Sequence, residues 1–226
     1  MNSHSVLTTE WLFIIGSPRL QLPEEPVSRE KTSEKRQRIL AAALKVFAQR
    51  GFYNANVSEV AREASVADGT IYLYFKNKDD LLIQLFEDRM DYLIRRLKEG
   101  LEKAGGTVPN RIYAMIKAHL QISKESPALA EFITLELRQS SKFVKEYQNE
   151  KFSEYLTVVS DLIEEGQHDG SLRSGLDPRI VARSLFGALD ETLLTITLAG
   201  RNSPAEIEKA AGQLNDLLCG GLTPRD

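Results

Sequence analysis

Residues 58–78 read SEVAREASVADGTIYLYFKNK, and the pattern is two short helices joined by a tight turn. Ser58 is a capping-type residue, with Val57 before it placed as a hydrophobic staple. Val60, Ala61 and Ala64 then share one apolar face. The small residues 64–67 make a turn, and Val66 plugs the angle between the helices. Asp68 is placed to cap a second helix over 69–75, in which Ile71 and Phe75, four apart, face the same side. Thr70, Tyr72 and Tyr74 are left on the other faces, and Lys76 and Lys78 follow at the end. This is the layout of a helix-turn-helix, a motif whose second helix lies in the major groove of DNA.

The flanks extend the same reading. From Ser33 the pattern is helical, with Ile39, Leu40, Ala43, Leu44, Phe47 and Ala48 at three- and four-residue spacing and Gly51 at a C-cap position. Lys35, Arg36 and Arg38 stand near the start of this helix, within reach of phosphates. Beyond the motif, Asn77 caps a long helix reaching to about residue 103, with Asp79 and Asp80 in the first turn where the helix dipole favours negative charge. The formal charge of the whole chain is -3. Residues 29–78, however, hold ten Lys/Arg against five Asp/Glu, a net +5, while the remainder carries -8. Positive charge gathers where the motif sits, as phosphate binding requires.

The other bounds are plainer. With 226 residues, 42% hydrophobic and 27% charged, the chain is long enough for a substantial core and has ordinary soluble-protein composition. One cysteine, Cys219, excludes an internal disulfide and suits a reducing cytoplasm, so a cytoplasmic location is expected. His4, His119 and His168 with that cysteine make no metal-ligand spacing, and no metal site is expected. Residues 1–30 hold the apolar run 11–15 (WLFII) and Pro18, Pro23 and Pro26. That run is too short to span a bilayer and lacks the flanks of a signal peptide, so a disordered tail without membrane insertion is expected. Helices are expected over 109–124, 128–140 and 142–167. Residues 168–175 (HDGSLRSG) form a loop. Asp177-Pro178 and Ser203-Pro204 open the last two helices by cap and N1 proline. The expected fold class is all-α, with about nine helices: a tail over 1–30, a DNA-binding unit over 31–78 and a second unit over 79–226.

The last two helices are apolar on more than one face; the first carries Ile180, Val181, Leu185, Phe186, Leu189, Leu193, Leu194, Ile196 and Leu198. Burial in the chain's own core is one explanation. The alternative, which the excess for a surface helix favours, is pairing with the same two helices of a second copy in a two-fold four-helix interface. A homodimer with paired recognition helices reads a palindromic operator in double-stranded DNA.

The helix over 36–52 (RQRILAAALKVFAQRGF), the core VSEVAREASVADGTIYLYF and the exit KNKDDLL resemble the DNA-binding half of the TetR family of bacterial repressors. Residues 132–140 (FITLELRQS), 175–177 (GLD) and 185–192 (LFGALDET) are similar to the ligand half of its fatty-acid-degradation branch, whose members long-chain acyl-CoA releases from DNA. The resemblance covers about residues 36–218. It implies a ligand-responsive repressor without catalytic residues or cofactor. Lys35, Arg36, Ser58, Asp68, Gly69, Thr70, Tyr72, Tyr74 and Lys78 then form the DNA surface, with Tyr72, Tyr74 and Lys78 on the backbone and Gly69 and Thr70 close to bases.

For the ligand, Leu120, Phe132, Leu135, Phe143, Tyr155, Leu156, Val159, Phe186 and Leu189 are candidates to line an apolar tunnel. Arg138, Lys142, Lys145 and Arg183 are candidate cations for the coenzyme phosphates. Each apolar position reads equally as plain core, and Arg138 as a partner of Glu136, Asp190 or Glu191. The long helix from Lys78 is placed to carry motion between the halves. Two positions depart from the family pattern. Ser65 replaces the common turn glycine, and Asp68 replaces a polar or basic residue, where it either caps the helix or accepts from cytosine. Rival readings are a drug-sensing efflux regulator, favoured by buried carboxylates such as Glu136, Asp190 or Glu191, a helical dimerisation module, and an enzyme. No nucleophile elbow or phosphate loop supports the last.

Overall fold

A computed structural model describes residues 26–136 and 150–222, and every regular element among them is helical. In chain order these are α1 (Pro26–Arg50), α2 (Val57–Glu63), α3 (Asp68–Ile71), α4 (Lys78–Ala104), α5 (Val108–Leu120), α6 (Ile122–Glu125) and α7 (Pro127–Glu131). A π-helical turn (Phe132–Glu136), α8 (Glu150–His168), α9 (Pro178–Leu198) and α10 (Pro204–Leu222) follow. Since α5 runs into α6 through Gln121 and α7 into the π turn, the described residues form nine helical bodies. The all-α expectation holds.

Helix α1 begins at Pro26, ahead of Ser33, where the apolar stripe starts; its leading turns carry no stripe by which the sequence could announce them. Its buried face (Ile39, Leu40, Ala43, Leu44, Phe47) packs against α2 and α4. The start of α2 differs from the reading. Asn56, not Ser58, is the N-cap, and the Glu59 carboxylate reaches back to accept from the Asn56 N–H at 3.0 Å. That reciprocal arrangement selects Asn56, and Ser58 falls inside the first turn, exposed. Likewise Ala67 caps α3 and Asp68 is its first residue, so Asp68 acts on the helix dipole rather than as a cap. The α-helix proper is also shorter than 69–75. Past Ile71 the chain tightens, with Leu73 N–H bonding Thr70 O (3.2 Å) and Tyr74 N–H bonding Ile71 O (3.0 Å).

The other caps stand where the sequence puts them. The Asn77 side chain accepts from Asp80 N–H at 2.9 Å, and Asp80 accepts in return from Lys76 N–H at 2.7 Å. Asp177 accepts from Arg179 N–H (2.8 Å), and Ser203 and Glu206 cap one another across α10.

Helix α4 lies against α1 at one end and against α5 and α8 along the rest. A buried row, Leu81, Leu82, Leu85, Phe86, Met90, Leu93, Ile94, Leu97 and Leu101, runs its length and ties the helix-turn-helix to the bundle. A second connection was not legible in the sequence: α7 and the π turn touch both α1 and α9. Helix α9 packs on α8, α5, α6 and α7, whereas α10 packs mainly on α5 and only lightly on α9. Ile180 and Leu198 of α9 and Leu217 of α10 are exposed in the single chain, Leu217 to 72%.

Candidate DNA-recognition surface and buried core site

At the DNA-binding end, burial fixes orientation. Ile71 and Phe75 are sunk in the core beside Phe47, Val60 and Leu81, so the α3 segment can present only its other side. Tyr72 is exposed to 58% and Leu73 to 81%, and Tyr53 of the preceding loop is exposed as well. Thr70 and Tyr74 are half-buried, while Asp68 and Gly69 are exposed. Gly69 is informative because neither packing nor backbone demands glycine there. A Cβ at that position would meet nothing within 4 Å. Its lack of a side chain leaves room for a partner outside the chain to approach the backbone. Leu73 was passed over in the sequence, although the spacing that puts Ile71 and Phe75 inside puts Leu73 opposite.

The turn itself holds Ser65 at φ 54°, the left-handed region in which L-residues other than Gly, Asn and Asp are disfavoured. The departure from glycine is therefore accommodated with backbone strain, not by a different turn. Val66 is half-buried between the helices, with its N–H bonding Ala61 O at 2.9 Å.

The cations divide into two groups. Lys35 is exposed. Arg36 donates to Gln84 Oε1 of α4 (2.9 Å) and lies over the Phe75 ring at 5.8 Å. Lys78 donates to Tyr53 O (3.1 Å) and sits 4.6 Å above the Phe52 ring. Partial burial pulls its ammonium below the usual lysine value against the opposing effect of Asp79. Arg36 and Lys78 thus brace the motif against α4 and the α1–α2 loop as well as adding positive charge to it.

The ligand half gathers its candidates differently. Leu120, Phe132, Tyr155, Val159 and Leu189 are all buried, and Phe186 is half-buried. Phe186 is the centre of an aromatic cluster, 4.6 Å from Phe152, 5.8 Å from Tyr155 and 6.3 Å from His119, each in edge-to-face geometry. Asp190, one turn on from Phe186, is 3% exposed, and with burial its carboxylate holds the Tyr155 phenol above the usual tyrosine range. Glu191 is exposed. Arg183 is exposed and lies over the Phe152 ring at 5.7 Å. The side chain of Leu135, and Arg138, Lys142, Phe143 and Lys145 altogether, lie outside the described residues.

A cavity of about 30 Å³ adjoins the cluster, lined by Leu93, Arg96 and Leu97 of α4, Met115, Ala118 and His119 of α5, Ile122, and Tyr155. It is room for about one water, far below the ~300 Å³ or more of a ligand pocket. Arg96 at its edge binds both carboxylate oxygens of Glu125, linking α4 to α6. His119 is the residue the sequence reading set aside; it interrupts the apolar face of α5, which was its signal. Among the described residues no group of three or more His, Cys, Asp or Glu could hold a metal ion, and no helix is long and apolar enough to cross a membrane.

Comparison with known proteins gives the family. Residues 86–221 match the C-terminal region of YsiA-like proteins, and residues 39–85 match the bacterial regulatory proteins of the tetR family. The fatty acid metabolism regulator protein of Bacillus subtilis is 39% identical over 157 residues, which are 70% of this chain and 80% of that protein. The crystal structure of the transcriptional regulator FadR from Bacillus subtilis in complex with stearoyl-CoA superimposes with a TM-score of 0.75 at 34% identity. The match covers 82% of this chain and 98% of that one. The fatty acid degradation regulator FadR from Bacillus halodurans gives 0.73 at 32% identity, again over 82% of this chain and 98% of that one. With a short exposed recognition segment on an all-helical frame and family matches spanning residues 39–221, the chain belongs to the tetR family of bacterial regulatory proteins.

Proposed function

We propose that the protein is a transcriptional repressor of fatty acid degradation genes that long-chain acyl-CoA releases from DNA. The observation that carries this reading is its likeness, over four-fifths of its length, to a regulator held in complex with stearoyl-CoA. The aromatic and aliphatic cluster between α4, α5, α8 and α9 supports it, since an acyl chain needs such surroundings. On this reading residues 31–78 are the DNA-binding unit and 79–226 the ligand-binding and dimerisation unit. The protein works in the cytoplasm as a homodimer on a palindromic operator. Exposed Leu198 and Leu217 favour α9 and α10 as the pairing surface, as an unpartnered apolar face requires.

At the DNA, Tyr72, Tyr74, Lys35 and Lys78 contact the backbone, with Arg36 and the first turn of α2 at Ser58 beside them. Gly69 and Thr70 approach the base edges, Asp68 lies at the α3 start, and Leu73 offers an apolar surface suited to a thymine methyl. In the core, Leu120, Phe132, Leu135, Phe143, Tyr155, Val159, Phe186 and Leu189 surround the acyl chain, with Arg138 and Arg183 toward the phosphates.

The closed packing suggests the mechanism. An acyl chain does not fit into the cavity of about 30 Å³ beside His119, so on this reading α4, α5 and α8, which line it, part to admit one. Two elements of the bundle also touch α1: α4 itself, and α7 with its π turn, which packs on α9. Opening the core therefore changes the seat of both recognition units. Ligand drives that change by binding the open arrangement more tightly than the closed one.

Asp190 favours a second reading. A carboxylate 3% exposed, one turn from Phe186 and close enough to raise the Tyr155 phenol, is the feature that the efflux-regulator reading calls for. Fluorescence anisotropy on DNA from upstream of the gene separates the two. Palmitoyl-CoA, free palmitate and a cationic dye are added in turn at fixed salt. Release by palmitoyl-CoA alone is expected; release by the dye alone would replace the proposal with the second reading.

A further inference from the structure

Most polar groups in the core are engaged, but one ring nitrogen is not. His119 lies on α5 between Met115 and Ile116 on one turn and Leu120 and Ile122 on the next, all buried. Its Nδ1 is 3.5 Å from the Tyr155 hydroxyl, while its Nε2 is buried without a hydrogen-bond partner. An orphaned polar atom in an apolar interior is costly and asks for a reason.

The same imidazole lines the small cavity beside Leu93, Leu97, Met115 and Ile122. A buried water would be the plain explanation, but such a water takes about three hydrogen bonds. Arg96 is committed to Glu125 through both of its terminal nitrogens, and the Tyr155 hydroxyl faces His119 Nδ1. The rest of the lining is apolar, so a water would find one strong partner. A ligand carbonyl needs only one.

The tautomer turns on which way the Tyr155–His119 contact runs. Burial and the nearby Asp190 carboxylate keep Tyr155 protonated, and burial pushes the His119 imidazole down to about 4, so it is neutral. With the phenol as donor to Nδ1, 3.5 Å away, the ring proton falls on Nε2. An N–H donor therefore stands over a largely apolar cavity, and the one guanidinium at its edge, Arg96, is already paired with Glu125.

We infer that His119 Nε2 donates to the carbonyl oxygen of the effector, the thioester carbonyl of a long-chain acyl-CoA, where the acyl chain enters the core. This rests on the acyl-CoA reading above. A neutral thioester oxygen accepts that one hydrogen bond, whereas a free fatty acid would bring an ionised carboxylate whose burial the site does not balance. The residue is a specificity element that separates activated from free acyl chains.

The test compares two ligands differing only in that oxygen. Isothermal titration calorimetry on the full chain measures binding of palmitoyl-CoA and of S-hexadecyl-CoA, the thioether with the same coenzyme and chain length. The wild-type protein is expected to bind the thioester about tenfold more tightly, and His119→Phe to bind both equally, at the thioether's affinity. His119→Gln, which keeps an N–H donor, should regain part of the preference. Equal binding of both ligands by the wild type overturns the inference and leaves the acyl-CoA reading standing, and this result needs no variant. A tenfold preference that survives in His119→Phe also overturns it. Binding of neither ligand removes the acyl-CoA reading and the inference together.

Discussion

The two ends of the molecule handle polar and apolar chemistry in opposite ways. Around α3 a buried pair, Ile71 and Phe75, holds an apolar and phenolic surface out to solvent, with Leu73 the most prominent point. In the bundle an apolar shell holds polar groups in: His119, Tyr155 and Asp190 are all buried. A surface that meets a long charged polymer gains by presenting its groups beforehand. An apolar interior gains by staying dry and closed, because open apolar surface in water is unfavourable. The first region is thus specified by which side chains face out, and the second by which polar groups its helices close over.

The largest expected effect tests whether the outward face depends on its buried half. Phe75→Ala should lower unfolding free energy by about 3–5 kcal/mol and abolish DNA binding, although Phe75 is 1% exposed and cannot touch DNA. Urea denaturation and anisotropy measure the two. Unchanged DNA affinity would break the claim that core packing orients Tyr72 and Leu73.

The next concerns the inward groups. The folded His119 imidazole is held to about 4, against an ordinary value of 6.5. As pH falls through 6.5 the unfolded chain takes up a proton that the folded chain refuses. Stability is thus full above 6.5 and declines until about pH 4, by roughly 3 kcal/mol. His119→Gln lacks this titration while leaving Arg96, Tyr155 and Asp190 in place. Chemical denaturation at pH 7 and pH 4.5 should show the wild type losing more stability than the variant by nearly that amount. Parallel losses would mean that the imidazole is not shielded from water.

The smallest effect sharpens the contrast at the turn. Ser65 at φ 54° is strained, so Ser65→Gly should stabilise the chain by about 1 kcal/mol and raise Tm by roughly 2–4 °C. DNA affinity should be unaltered. A lower Tm would show that the serine side chain makes a contact worth more than the strain.

The two ends also differed in how much the sequence disclosed. The spacing of Ile71 and Phe75, the Asn77, Asp177 and Ser203 caps and the charge of residues 29–78 express short-range rules, and the fold follows them. Residue type favours Ser58 and Asp68 as caps, but neither is the N-cap. What decided the matter was the reciprocal pair Asn56 and Glu59, and the extended backbone at Ala67. Arg36 and Lys78 read as phosphate ligands, but their partners Gln84, Phe75, Phe52 and Tyr53 are set by packing that local pattern does not contain. In the bundle, buried leucines that line a ligand and those that fill a core look alike, because both are simply apolar. His119 was legible only as a polar residue out of place. The contact of α7 and the π turn with α1 joins segments some eighty residues apart, and no period reveals it.

If the core is linked to the recognition units through α4 and α7, ligand and DNA compete through it. The measurement that tests this most directly is palmitoyl-CoA affinity for the free protein and for the protein saturated with its upstream DNA. Linkage requires that DNA weaken acyl-CoA binding by the same factor by which acyl-CoA weakens DNA binding. Equal factors of at least about tenfold are expected, corresponding to roughly 1.4 kcal/mol of coupling. Identical palmitoyl-CoA affinity with and without DNA would contradict it.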